Sequence, residues 1–247
     1  MSKGFVLVTG AGRRVGAALA KRLAGDGWAV GVHYNASRAE ADAVIAAIRQ
    51  SGGVAEAYGA DLTNAAAIDA MTATLTKRGD WVGLVNSAAS FTQDDLASFA
   101  FPLAETQLKL NLIAPIYLAR ALAAAKPALG FVINIADQKV LNPNPDFLSY
   151  TLSKLGLAGA TATLAMALAP AIRVNCIAPG LMLPSGDQTE ENFARVHDQT
   201  PTGKGATPED VADAAVFLAN AQSVTGQLIA VDGGQHLVKS ARDVMFS

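Results

Sequence analysis

Two side chains with complementary acid–base chemistry, Tyr150 and Lys154, lie four positions apart in a Tyr-x-x-x-Lys pattern. In a helix, residues at this spacing share a face, so the phenol and the ammonium are expected to point into the same cleft. A neighbouring ammonium lowers the pKa of a tyrosine, which predicts a phenol that exchanges protons near neutral pH. The same spacing also occurs on solvated helix surfaces, so the motif indicates catalysis only together with partners elsewhere in the chain.

A glycine-rich segment follows the apolar run 5–9 and precedes a helical pattern of Val15, Leu19 and Leu23. Between a strand and a helix, glycines allow a tight turn and close packing, and the N–H groups that begin the helix bind phosphate. A glycine cluster alone is also compatible with an ordinary turn, but this position favours a dinucleotide pyrophosphate. The residues predicted to bind it are Gly10, Arg13, Arg14, Val15 and Gly16.

The second strand predicts which nicotinamide dinucleotide binds. Sites that select NAD place a carboxylate near the end of this strand, where it binds the ribose 2′-hydroxyl. No acid occurs between Asp26 and Glu40, and an arginine with short polar donors stands there instead. Such groups bind a 2′-phosphate, so NADPH is the predicted cofactor; the alternative is a strand end with a solvated arginine. The residues assigned to this pocket are His33, Tyr34, Asn35, Ser37 and Arg38.

Short apolar runs alternate with helical patterns along the chain, and no long linker or fixed repeat interrupts them. Strands this apolar are typical of a parallel sheet covered by helices on both faces. The sequence therefore predicts an α/β protein, a single doubly wound Rossmann domain over 1–247 with about seven parallel strands. Ligands should bind beyond the carboxyl ends of the strands, with a substrate loop at 180–205. The predicted strands are 5–9, 28–34, 54–58, 81–86, 131–135, 173–178 and 227–231.

Three predicted helices have unusual features. A long helix over 102–125 is expected to kink or break at Pro115, because proline removes a helical hydrogen bond. Another helix, over 150–169, overlaps 18 consecutive uncharged residues at 155–172, the lower length limit of a membrane span. Its glycines and threonines favour a helix packed between protein surfaces instead. A third helix is predicted to be capped by residues 61–63.

Composition excludes several classes of partner. The 247 residues carry 19 Lys+Arg and 21 Asp+Glu, a formal net charge of −2, so bulk charge does not hold this chain to nucleic acid or membrane. The one cysteine, Cys176, cannot form an intrachain disulfide, and the first residues show no export signal. A reducing, cytoplasmic location is therefore expected. His197 and His236 lack ligand-like spacing, and no metal site is predicted.

The glycine loop departs from Gly-x-Gly-x-x-Gly and has the pattern Gly-x-x-x-Arg-x-Gly. With this loop and the Tyr-x-x-x-Lys motif, the chain resembles the short-chain dehydrogenase/reductase family over nearly its whole length. The arginine in the loop is similar to the pteridine reductase branch. The resemblance implies an NADPH-dependent reductase of a small molecule, with Asn111 holding a proton-relay water. It also implies cofactor contacts at Asp61, Leu62, Asn86, Ser87, Ala88, Pro179, Gly180 and Leu181.

The substrate hypothesis depends on Asp137, 13 positions before Tyr150, where most of the resembled family has serine. An aspartate here is similar to pteridine reductases, in which Asp and Tyr deliver protons to ring nitrogens while nicotinamide gives hydride to the adjacent carbon. A carboxylic acid protonates an imine-like nitrogen readily, whereas a ketone oxygen needs a neutral hydroxyl donor. The resemblance also aligns Phe91 with a ring that stacks on the pterin. The predicted catalytic residues are Asp137, Tyr150, Lys154 and Asn111, and the predicted substrate residues are Arg14, Phe91, Asp137 and Tyr150.

Three functions stay open at this point. Pteridine reduction is favoured by Arg14, Phe91 and Asp137, but Ser87 and Ala89 depart from the pattern of that branch. The alternative is reduction of a ketone or other carbonyl compound, with the aspartate a tolerated change or a loop cap. The third function is that of a non-catalytic cofactor sensor, which would need none of the predicted catalytic residues. Nearly uncharged helices rich in small residues, together with the resemblance, predict a homotetramer.

Overall fold

The predicted apolar runs form the strands of one parallel sheet. The structure, a computed structural model, describes residues 2–184 and 188–246. In this part of the chain every strand pair is parallel, in the order β3-β2-β1-β4-β5-β6-β7. The order reverses between β1 and β4, where sheets of this kind have their ligand crevice, and the predicted doubly wound fold is confirmed. The strands are β1 (Phe5–Val8), β2 (Ala29–Tyr34), β3 (Ala55–Gly59), β4 (Trp81–Asn86), β5 (Gly130–Ile135), β6 (Ile172–Pro179) and β7 (Leu228–Val231).

Helices cover both faces of the sheet. In the described ranges they are α1 (Arg14–Gly25), α2 (Arg38–Gln50), α3 (Ala65–Arg78), α4 (Phe101–Leu108), α5 (Ala114–Ala124), α6 (Leu148–Leu168), α7 (Glu190–Asp198) and α8 (Pro208–Asn220). Alternate residues of a strand point to opposite faces, so β1 buries Phe5 and Leu7 in one hydrophobic cluster and Val6 and Val8 in the other. Helices α1, α2 and α8 complete the Val6 cluster, and α3 and α5 complete the Phe5 cluster. Each large apolar side chain buried in this way contributes about 1.5–3 kcal/mol.

One predicted helix start is wrong. Residues 61–63 do not cap α3, because the side-chain oxygen of Asn64 accepts a hydrogen bond from the N–H of Ala66 at 3.0 Å.

The helix predicted over 102–125 is irregular near its proline. A π-helical turn at Lys109–Ile113 separates α4 from α5, and Pro115 follows in the first turn of α5. The irregularity therefore lies directly before the proline at which a kink or break is predicted.

Helix α6 is long and apolar enough to cross a membrane by length and composition alone. It packs against β6 and α4, and its first turns carry the buried side chains of Tyr150 and Lys154. Further along, Leu157 is fully buried, whereas Met166 is exposed. Burial against the sheet and a neighbouring helix accounts for the apolar residues on one side of this helix.

His33, at the end of β2, connects the glycine turn to the edge of the sheet. Its Nδ1 accepts a hydrogen bond from the N–H of Gly10 at 3.0 Å, and its Nε2 lies 3.0 Å from the carbonyl oxygen of Ala60. These two bonds require a neutral ring with the proton on Nε2. Burial lowers the pKa of His33 to about 4. His33, which is predicted to contact the cofactor, therefore also holds the glycine turn in place.

The low pKa of His33 predicts a pH-dependent stability. The unfolded chain binds a proton near pH 6.5 and the folded chain only near pH 4, so stability falls as the pH drops through this window. Between pH 7 and pH 5 this residue should account for about 2 kcal/mol of lost unfolding free energy. Urea denaturation at both pH values should show a smaller loss in His33→Gln than in the parent. Parallel losses in the two proteins would contradict this role.

Candidate active site

A cavity of about 680 Å³ opens beyond the carboxyl ends of the central strands and joins the predicted cofactor and catalytic residues. Among the described residues, three predicted site residues do not line it: Arg38, Asn86 and Asn111. The glycine turn and the Tyr-Lys motif, far apart in sequence, thus share one compartment. The predicted residues in its wall are Gly10, Arg13, Arg14, Val15, Gly16, His33, Tyr34, Asn35, Ser37, Asp61, Leu62, Ser87, Ala88, Phe91, Asp137, Tyr150, Lys154, Pro179, Gly180 and Leu181.

Glycine at two positions lets the turn pack tightly on the rest of the chain. Gly10 has φ +64°, and a Cβ there would lie 2.9 Å from the Cα of Ala88. A Cβ on Gly16 would lie 2.2 Å from the carbonyl oxygen of Gly10. The start of α1 is therefore held close against the turn, the arrangement in which helix N–H groups bind a dinucleotide pyrophosphate.

Arg14 connects the glycine turn to the far side of the cavity. Its backbone is left-handed, with φ +50°, a conformation that residues other than glycine seldom adopt. Its guanidinium donates a hydrogen bond to the carbonyl oxygen of Pro184 at 3.0 Å. The residue predicted to contact both cofactor and substrate thus spans from the phosphate side to the start of the predicted substrate loop.

Two of the arginines predicted to bind the cofactor are placed differently. Arg13 lines the cavity and forms an ion pair with Glu40. The Arg38 side chain is bonded away from the cavity: its Nε donates to both carboxylate oxygens of Asp42 at 2.9 Å, and its Nη1 donates to the Tyr34 hydroxyl at 3.0 Å. Of these two arginines, only Arg13 lies in the cavity wall, which Ser37 and Asn35 also line.

The predicted acid–base residues meet at the opposite end of the cavity. The Tyr150 hydroxyl donates a hydrogen bond to Oδ2 of Asp137 at 2.9 Å. Oδ1 of the same carboxylate accepts one from the backbone N–H of Lys139 at 2.9 Å. The Lys154 ammonium donates to the carbonyl oxygen of Ile135 at 2.7 Å and lies 5.6 Å from the centre of the Tyr150 ring. The end of β5 and the first turns of α6 create this arrangement.

The expectation that Lys154 lowers the pKa of Tyr150 is wrong for this arrangement. Burial and the adjacent Asp137 carboxylate raise the pKa of Tyr150 well above its ordinary value. Burial also raises the pKa of Asp137 and lowers the pKa of Lys154 to about 8. Burial is the largest cause, and the Asp137 carboxylate in contact with the phenol acts in the same direction, whereas the Lys154 ammonium is bonded to a backbone carbonyl. Tyr150 therefore stays protonated and acts as a hydrogen-bond donor.

Asn111 and Asn86 position other groups. Oδ1 of Asn111, in the π-helical turn, accepts a hydrogen bond from the N–H of Ser90 at 2.9 Å, and its Nδ2 donates to the Ser153 hydroxyl at 3.0 Å. It thus links the loop that carries Phe91 to α6. Asn86 donates to the side-chain oxygen of Asn134 at 2.9 Å within the sheet. The predicted relay role of Asn111 stays a prediction.

An aromatic wall stands beside the acid–base pair. The Phe91 ring stacks on Phe147, with centroids 4.1 Å apart and planes 14° apart, and meets the Tyr150 ring edge-on at 4.7 Å. Phe147 is buried, whereas Phe91 is partly exposed and lines the cavity. Phe91 therefore packs on Phe147 and Tyr150 at once, and its partly exposed ring offers aromatic surface in the cavity wall to a flat ligand.

Several residues of the cavity wall were not predicted from the sequence. Lys139 and the segment after the last strand carry no motif, because their role depends on contacts between remote parts of the chain. Within 2–184 and 188–246, no group of three metal-ligating side chains occurs. The unpredicted wall residues include Gln138, Lys139, Leu183, Gln235, Asp243, Val244 and Met245.

Known proteins match this chain over nearly its full length. Residues 10–236 match the family described as Enoyl-(Acyl carrier protein) reductase. The 3-oxoacyl-[acyl-carrier-protein] reductase of Synechocystis is 35% identical over 237 residues, 92% of this chain and 95% of its own. The chain belongs to the short-chain dehydrogenase/reductase family. The family expectation from the motifs is confirmed, and the protein is an oxidoreductase of this NADP-binding family.

Two similar solved structures contain a bound cofactor. FolM Alternative dihydrofolate reductase 1 from Brucella canis, complexed with NADP, is 39% identical, covers 98% of this chain and 97% of its own, and has a TM-score of 0.91. The angucycline C-6 ketoreductase LanV with bound NADP is 27% identical, covers 96% of this chain and 97% of its own, and has a TM-score of 0.89. Both similar structures contain NADP, and the cofactor prediction is confirmed.

The placement of Arg13 and Arg38 predicts which arginine selects NADPH. A charge-assisted hydrogen bond contributes about 1.5–3 kcal/mol, so Arg13→Ala should weaken NADPH binding about tenfold or more. NADH binding should change little, because NADH has no 2′-phosphate. Arg38→Ala is the matched control and should leave both dissociation constants near those of the parent. Fluorescence titration of both cofactors measures this; an equal loss for NADH and NADPH in Arg13→Ala would contradict the assignment.

Proposed function

We propose that the protein is an NADPH-dependent pteridine reductase that acts on a dihydropterin or a dihydrofolate-like substrate. The observation that carries the proposal is the hydrogen-bonded Asp137–Tyr150 pair beside Phe91, in the same cavity as the glycine turn. The family member FolM Alternative dihydrofolate reductase 1, at 39% identity, supports this substrate class. The Tyr150–Lys154 motif alone does not distinguish pteridine reduction from carbonyl reduction.

The pair suits protonation of a ring nitrogen. NADPH, when bound, supplies the hydride that adds to a ring carbon. The proton for the adjacent nitrogen comes from the Asp137–Tyr150 pair: burial raises the pKa of the Asp137 carboxyl, which favours the protonated acid. Tyr150 keeps its proton and donates a hydrogen bond to Asp137. The Lys154 ammonium beside them adds positive charge at this end of the cleft.

A second function is favoured by other relatives. The Synechocystis relative is a 3-oxoacyl-[acyl-carrier-protein] reductase, and LanV is a ketoreductase. In this alternative the Tyr150 hydroxyl donates its proton to a carbonyl oxygen, and Asp137 serves to orient the phenol and to cap the turn through Lys139. The two functions differ in whether the Asp137 carboxyl group donates a proton to the substrate.

Substitution of Asp137 separates the two functions. Asp137→Ala should lower kcat on 7,8-dihydrobiopterin about 10²-fold or more, the usual size of a general-acid contribution. Asp137→Ser should leave pterin reduction poor and improve reduction of simple ketones, because it supplies a neutral hydroxyl. Tyr150→Phe should impair both reactions. NADPH consumption measured by absorbance reports all of these rates.

Cofactor titration is the control for these variants. NADPH affinity should stay near that of the parent, because Asp137 lies at the opposite end of the cavity from Arg13. A parent protein that reduces ketones but no pterin would refute the proposed substrate. Parent-like pterin turnover in Asp137→Ala would show that the carboxylate is not the acid.

We also propose that the protein is a homotetramer and that it works in the reducing cytoplasm. Large apolar side chains are exposed on the surface formed by α4, the π-helical turn and α6: Phe101 is 79% exposed, Met166 is 75% exposed, and Ile113 and Leu152 are about half exposed. Large apolar side chains exposed on neighbouring helices are typical of surfaces that associate. Cys176 is buried, and burial raises the pKa of its thiol to about 11. Both features fit an unreactive thiol that stays reduced.

Removal of apolar surface tests the assembly. Sedimentation velocity at micromolar concentration should show a tetramer for the parent and smaller species for Phe101→Glu with Met166→Glu, because buried charges oppose association. Leu237→Glu is a matched control, since Leu237 is 73% exposed outside these helices. A monomeric parent would contradict the proposed assembly.

A further inference from the structure

The chain after β7 returns to the active site. It passes a short 3₁₀ turn at Gln235–Leu237 and ends in another at Val244–Phe246. Asp243, Val244 and Met245 line the same cavity as Asp137 and Tyr150. None of the residues 239–246 belongs to either hydrophobic cluster of the sheet. The last segment thus contributes to the wall of the cavity and not to the core.

A buried ion pair holds this segment in place. The Lys139 ammonium lies 2.7 Å from Oδ2 of Asp243, and the two side chains are only 2% and 8% exposed. The backbone N–H of Lys139 donates to the catalytic-site carboxylate of Asp137. One residue therefore connects the chain terminus to the acid–base pair: its side chain binds the terminal segment and its backbone binds Asp137.

A second set of contacts fixes the same segment. Nε of Arg242 donates to both carboxylate oxygens of Asp146, at 2.9 and 2.8 Å, and the N–H of Asp243 donates to the same carboxylate at 2.7 Å. The Phe246 ring is parallel to that of Phe147, with centroids 6.1 Å apart. Phe147 in turn stacks on Phe91. The segment therefore lies behind the aromatic wall and extends it.

Burial makes the Lys139–Asp243 ion pair a strong constraint on this segment. Exposed ion pairs contribute little to stability, whereas removing one partner of a buried pair leaves the other charge without compensation. The segment belongs to neither hydrophobic cluster, so the ion pair holds it against the wall of the cavity and not against the core.

We propose that the segment Arg242–Phe246, anchored by the Lys139–Asp243 ion pair, is a specificity-determining wall that restricts the compartment to compact, flat substrates and positions them against Phe91 and Tyr150. Extended substrates, such as long 3-oxoacyl thioesters, are excluded because the wall occupies the space into which their chains would run. The inference rests on the family membership of the chain and on these contacts, and it does not require the substrate to be a pteridine.

Three variants test the wall. The first ends at Ser240, the second is Asp243→Asn, and the third is Met245→Ala, which keeps both anchors and removes only wall volume. Asp213→Asn is the matched control, because Asp213 forms an exposed ion pair with Arg22 away from the cavity. The substrates are 7,8-dihydrobiopterin, and short and long 3-oxoacyl thioesters of N-acetylcysteamine. Thermal unfolding shows first that each variant is folded.

The wall predicts a change in KM and in selectivity. For the chain ending at Ser240 and for Asp243→Asn, KM for the compact substrate should rise about tenfold, with a smaller change in kcat and an unchanged NADPH dissociation constant. The ratio of kcat/KM for the long thioester to that for the short one should rise about tenfold or more in all three variants. Asp243→Glu should restore most of the parent ratio, and Asp213→Asn should match the parent. An unchanged ratio in the chain ending at Ser240 would overturn the inference.

A measurement without turnover tests the anchor itself. Hydrogen–deuterium exchange of the segment 137–148 should be faster in the chain ending at Ser240 and in Asp243→Asn than in the parent and Asp213→Asn. Unchanged exchange there would also overturn the inference. If the parent reduces thioesters but no pterin, the proposed function fails and the wall is still judged by the selectivity ratio. If the parent reduces neither thioesters nor pterin, the hydrogen–deuterium exchange rates alone test the wall.

Discussion

The hydrogen bond from Tyr150 to Asp137 is the interaction on which the rest of the active site depends. It joins the first turns of α6 to the loop after β5. Each group around it maintains that contact: the N–H of Lys139 holds the carboxylate, the edge of Phe91 packs on the phenol ring, and Asn111 links α6 to the loop that carries Phe91. The sheet supplies the rigid edge from which these elements project.

Burial shifts the pKa of each ionisable group around this hydrogen bond. In the interior a charge is poorly solvated, so burial raises the pKa of the Asp137 carboxyl and of the Tyr150 phenol. Lys154 is buried as well: burial lowers the pKa of its ammonium to about 8, and the ammonium is bonded to the carbonyl of Ile135. The site therefore brings three ionisable groups with shifted pKa values together at the carboxyl edge of the sheet.

The two ends of the cavity are specified by different kinds of structure. At the cofactor end, backbone geometry decides: Gly10 and Gly16 permit close approach, and the neutral ring of His33 supports the turn. At the substrate end, side chains decide: an aromatic wall and a buried ion pair close the space beside Asp137. This division agrees with the shared use of NADP by the two solved relatives, whose names give different substrates.

Local patterns in the sequence determined the strands, the order of the helices, the glycine turn and the Tyr-x-x-x-Lys pair, because these depend on residues close in the chain. Only the tertiary structure decided that Arg13 and not Arg38 lies in the cavity wall, and which way the pKa of Tyr150 moves. It also revealed that Arg242 binds Asp146 from 96 positions away and that Asp243 binds Lys139. Such contacts leave no periodicity or spacing in the sequence, since they form only when the folded sheet brings remote segments to one edge.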